Sequence, residues 1–144
     1  MKKMMIVSLT ALSILGIGAA TTAYAMNNTA TKEEMSYLKK INPNINEEAA
    51  TSLKEKRTEL DQLHQELTDL SIKYGIIVDN EKDGNKEAIH VDDLDSAKRS
   101  TYNKLSKNVW EKEIQFLDAQ YEAGLIKKAD YLETKAGWLK ELNK

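Results

Sequence analysis

The sequence predicts a mostly α protein: a small antiparallel helical bundle or bent helical hairpin of three to four helices. Three observations carry this prediction. Leu53, Leu60, Leu67 and Tyr74 recur every seven residues, with Leu63 and Leu70 at the alternate positions, a seam interrupted only at Lys56. A second long segment, from about Asp92 to Ala123, carries apolar residues at helical spacing on two different arcs. Residues that favour helix ends, namely Thr31, Asn46, Gly75 and Gly124, stand at the borders of these segments.

The chain opens on a segment of another kind. Lys2 and Lys3 precede an uncharged run from Met4 to Ala20, and Ala23-Tyr24-Ala25 has the small-x-small pattern of a cleavage site. Residues 1–25 therefore read as a signal peptide, removed to leave a mature chain beginning near Met26. The apolar run is short for a stable span and no stop-transfer pattern follows, so no lasting membrane insertion is expected after cleavage. Removing Lys2 and Lys3 with the leader leaves 19 basic residues against 23 acidic ones, a net charge of −4 over 119 residues. That length suits a single helical domain, 26–144, with a modest core. The expected place of the protein is the cell envelope, the periplasm or the medium.

Residues 26–30 read as a short mobile leader. Thr31 and Glu34 form a capping-box pattern, and Met35, Leu38 and Ile41 give the stripe of a first short helix, ended at Asn42-Pro43-Asn44. Asn46 caps the second helix, with Glu47 and Glu48 in its first turn, and Gly75 ends it as a left-handed residue. Residues 75–92 form a connection. Ile76-Ile77-Val78 and Ala88-Ile89-His90-Val91 are β-prone runs around Asp83-Gly84-Asn85, which makes this either a short β-hairpin over about 76–91 or a loop with apolar anchors.

The third helix is expected to begin near Asp92 or Asp93. Its first stripe, Leu94, Tyr102, Leu105, Val109 and Phe116, is assigned to the second helix. Its second stripe, Trp110, Ile114, Leu117 and Tyr121, is assigned to a final helix at roughly 129–142, folded back through Gly124. The final helix is expected to bury Tyr131, Leu132, Trp138, Leu139 and Leu142.

Several chemistries find no support in the residues. The absence of Cys removes thiol catalysis, thiolate zinc and haem attachment. Mixed charges with a mild acidic excess argue against nucleic-acid binding. His64 and His90 share no metal-ligand spacing, and no nucleophile elbow, phosphate loop or dinucleotide fingerprint is present. One acidic segment stands out. Asp79, Glu81 and Asp83 alternate ahead of Gly84, with Glu87 at the ninth position, as in the opening of an EF-hand calcium loop. The twelfth position, where a bidentate acid belongs, is His90. Asp79, Glu81, Asp83 and Glu87 are thus candidate calcium ligands, against a solvated turn as the simpler account.

Residues 46–81, with their acidic helix start, Leu-rich charged helix and Lys73-Tyr74-Gly75-Ile76-Ile77 ending, resemble the YckD-like group of small exported bacterial proteins of unknown function. Residues 116–142 carry Ala123-Gly124-Leu125-Ile126, Asp130-Tyr131, Lys135 and Trp138-Leu139. They resemble short helical-hairpin modules at the C-termini of bacterial proteins, a likeness that implies oligomerisation or tethering. The two regions also echo each other as Leu-x-x-x-Tyr followed by Gly and branched apolars. The expected function is non-enzymatic: contact with a protein partner or self-association through helix faces, chaperone-like or otherwise. A calcium- or metal-responsive exported module is the alternative.

Overall fold

The computed structural model describes residues 29–79, 82, 84 and 86–144. The predicted signal peptide, 1–25, lies outside the described residues. Four α-helices follow in chain order: α1 (Lys32–Ile41), α2 (Glu47–Lys73), α3 (Ser96–Glu122) and α4 (Lys128–Leu142), with a 3-10 turn at Val91–Asp93. Each helix packs against the next. The described residues contain no β-strand.

The caps explain the boundaries. The Thr31 hydroxyl accepts from Glu34 N–H at 3.2 Å, and the Glu34 carboxylate accepts from Thr31 N–H at 2.7 Å, closing the capping box of α1. Asn46 Oδ1 accepts from Ala49 N–H at 2.8 Å to start α2. Helices α2 and α3 end alike. Gly75 (φ +76°) and Gly124 (φ +70°) take the left-handed conformation. Ile76 and Leu125 then donate back to the Ser71 and Gln120 carbonyls, 2.8 and 3.0 Å away. The echo between the two segments is therefore a repeated way of stopping a helix.

This capping decides against the β-hairpin, one of the two accounts open for 76–91. The amides of Ile76 and Ile77 both turn back to Ser71 O, at 2.8 and 3.2 Å, so the first run spends its donors on the helix end. The returning run meets it through Ile89 N–H to Gly75 O at 2.9 Å. Ile77 and Ile89 stay half-exposed, and no described residue of the segment forms a strand.

A second correction concerns the start of α3. Asp92 and Asp93 belong to the 3-10 turn, Leu94 is extended (φ −68°, ψ 149°), and the N-cap is Asp95. Lys98 donates its backbone N–H to Asp95 at 2.9 Å, and that bond, with the Lys98 ammonium beside it, holds the Asp95 carboxyl below the usual aspartate value.

The core has two parts that meet along α3. Leu38, Ile45, Ala50, Leu53, Leu60, Val109 and Phe116 join α1, α2 and α3. Ile114, Leu117 and Trp138, with Trp110, Ile126, Tyr131 and Leu142 packed against them, join α3 to α4. Of the stripe assigned to α2, Val109 and Phe116 lie in that core, whereas Leu94 precedes α3; of the stripe assigned to α4, Trp110, Ile114 and Leu117 lie in the second core and Tyr121 stacks on Tyr131. Leu67, from the same heptad as Leu60, is only half-buried.

The end of the predicted leader is tied down. Ala30 is buried, and its N–H donates to Thr51 Oγ1 at 3.3 Å. Lys54 Nζ donates to the Thr29 carbonyl at 3.1 Å and to Glu34 Oε2 at 3.2 Å. Both charged side chains are nearly removed from water, with 8% and 2% of their surfaces exposed.

Candidate functional site

The final hairpin carries the most organised arrangement of side chains. Gly124 makes its turn for two reasons. Its φ is positive, and an added Cβ would come within 2.7 Å of Asn42 Nδ2. Asn42 itself, at the end of α1, donates from Nδ2 to the Ala123 carbonyl at 2.8 Å. Helix α4 then runs back along α3. Trp138 meets Trp110 with ring centroids 6.1 Å apart and planes at 60°. Tyr131 stacks on Tyr121 at 4.1 Å and 7°.

A polar lock closes the same contact. Asp118 Oδ1 accepts from the Tyr131 hydroxyl and from Lys135 Nζ, both at 2.8 Å, and Lys135 also lies 2.9 Å from the Tyr131 oxygen. The Asp118 hydrogen bond, and then the Tyr131 hydroxyl, push the Lys135 ammonium above its ordinary value. A raised folded value stabilises below the unfolded value and is lost as pH climbs through the folded one. The ammonium of Lys135 therefore stays charged through neutral pH, and its contribution to the lock is lost as pH rises through that raised value. Tyr131→Phe removes the hydroxyl from both partners while keeping the stack. It is expected to lower stability by about 1 kcal/mol, read as a small drop in the thermal midpoint.

Turning these groups inward leaves the other side of α4 uncovered. Tyr131, Thr134, Trp138 and Leu142 lie on the inner side, whereas Leu132 and Leu139, both expected from sequence to be buried, are 52% and 39% exposed. The correction has a simple cause. Leu132 and Leu139 are about 100° away from the Tyr131–Trp138 direction on the helical wheel, too far to face α3 as well. Ala129 and Ala136 are also exposed and complete an outward stripe of Ala129, Leu132, Ala136 and Leu139. Glu133 and Lys140 border it, both exposed, and neither forms an ion pair among the described residues.

The candidate calcium ligands are placed differently. Asp79 is exposed, and its Oδ2 lies 3.6 Å from Lys82 Nζ. Glu87 is exposed and Gly84 has φ +67°. Glu81 and Asp83 lie outside the described residues. Among the described residues no three acids or imidazoles stand together as a metal group.

His64 has a role that its sequence position did not disclose. Its Nε2 lies 2.7 Å from Glu113 Oε1, joining α2 to α3, and Lys112 pairs with Glu59 at 2.7 Å across the same contact. The arrangement fastens two helices. Compared with protein-family models, with curated proteins and with solved structures, the chain finds no match.

Proposed function

We propose that this is an exported, non-enzymatic protein that works by protein–protein contact, with the outer face of α4 as its contact surface. One observation carries the reading. A helix held firmly to the core by Trp138 and the Asp118–Tyr131–Lys135 lock presents two leucines and two alanines to water along a single line. Leu132 and Leu139 are 52% and 39% exposed, so a partner that covered them would gain about 1 kcal/mol from each. The predicted signal peptide and the likeness of residues 116–142 to helical-hairpin modules support the same reading.

The test is contact mapping in the producing cell. A photo-crosslinking amino acid at Leu132 is expected to give a protein adduct, and the same group at exposed Ser100 on α3 is not. No adduct at Leu132, or equal adducts at both positions, would remove the reading.

A further inference from the structure

We propose that the outer face of α4 pairs with the same face of a second copy of this chain, antiparallel, about a two-fold axis near Ala136; this rests on the contact surface proposed above. The stripe Ala129, Leu132, Ala136, Leu139 advances by three, four and three residues, the spacing that keeps a helix seam on one side. Its charged border decides between orientations. Glu133 and Lys140 are seven residues apart, so they lie on the same edge of the stripe, with opposite sign. Antiparallel pairing about Ala136 sets Glu133 of each copy beside Lys140 of the other, twice by symmetry. It also sets Leu132 beside Leu139. Parallel pairing would set this edge against the opposite edge of the other copy, where Lys135 lies, so that Glu133 and Lys140 of the two copies would not meet. At the axis, the small Ala136 side chain lets the two backbones approach. On the other edge, Lys135 is already neutralised by Asp118 at 2.8 Å and presents little repulsion.

A helix of 15 residues is about 22 Å long, so the contact falls at the small end of specific interfaces. Association is accordingly weak and rises with concentration. A different protein partner has no such matching pattern on the page, whereas a second copy supplies both charges in register.

The experiment is sedimentation velocity on the chain from Met26 onward over a wide concentration range. The wild type is expected to shift from monomer to dimer. Glu133→Lys alone and Lys140→Glu alone should each weaken dimerisation about tenfold, since two attractive pairs become two repulsive ones. The double variant Glu133→Lys with Lys140→Glu should restore it. All four positions of the stripe and both charges are exposed, and an unchanged circular dichroism melt confirms that the variants fold. A wild type that stays monomeric at every concentration overturns the proposal, as does a dimer that the double variant fails to restore. If self-pairing fails while Leu132 still crosslinks to another protein, the contact surface stands and only the second copy falls.

Discussion

Replacing Trp138 with alanine is expected to destabilise the protein by about 3–5 kcal/mol, the range for emptying a buried aromatic site. Trp138 is 5% exposed and sits with Ile114 and Leu117 at the centre of the contact between α3 and α4. Its removal leaves a void that the rigid α3 face cannot close, and it withdraws the tilted partner of Trp110. Helix α4 should then detach before α2 and α3 separate. Thermal melts and binding of an apolar dye would register this, the dye reporting the uncovered stripe of Trp110, Ile114 and Leu117. Leu139→Ala is the control. That side chain is 39% exposed, so its loss should cost much less, about 1 kcal/mol. Equal losses at Trp138 and Leu139 would mean that α4 is rotated from the orientation described.

Lys54→Met is expected to destabilise by about 3–5 kcal/mol, because it leaves the Glu34 carboxylate buried without its cation. The methionine fills much of the lysine volume, so the loss reports charge rather than a cavity. The same change releases the Thr29 carbonyl from its donor. Adding Glu34→Gln should recover a large part of the loss. Glutamine removes the stranded charge, and its side-chain oxygen can still accept from Thr31 N–H as the capping box requires. Urea denaturation of the single and double variants measures both effects. A Lys54→Met protein as stable as the wild type would show that the pair contributes nothing beyond what methionine packing supplies.

Much of the helical layout was legible because it depends on neighbours in sequence. Capping boxes, N-cap asparagines and left-handed glycines act within four residues, which is why Thr31, Asn46, Gly75 and Gly124 marked real ends. The two stripes of α3 were legible because 3.6-residue periodicity is also local. What failed depended on partners distant in the chain. The heptad treats Leu60 and Leu67 alike, yet Leu60 is 1% exposed while Leu67 is half-buried. The β-prone isoleucines after Gly75 carry a real local preference, but the free carbonyl of Ser71 took their amides first. On α4, five apolar residues spread too widely for one partner, and nothing local says which arc turns inward. The site suffered most from this. The outward leucines were placed inside, and the contacts Lys54–Glu34, His64–Glu113 and Asp118–Lys135 each join residues at least 17 positions apart.

The bond from Asn42 to the Ala123 carbonyl spans 81 positions of sequence. A ribosome working at about 5–20 residues per second needs roughly 4–16 s to travel that distance. Throughout that interval α1 exists without the acceptor that fixes its far end, while α3 and α4, joined by a short turn, need wait only for each other. The clasp at Asn42 is therefore a late event in the life of each chain. The first helix is held at its near end as soon as α2 exists, and at its far end only when α3 is complete.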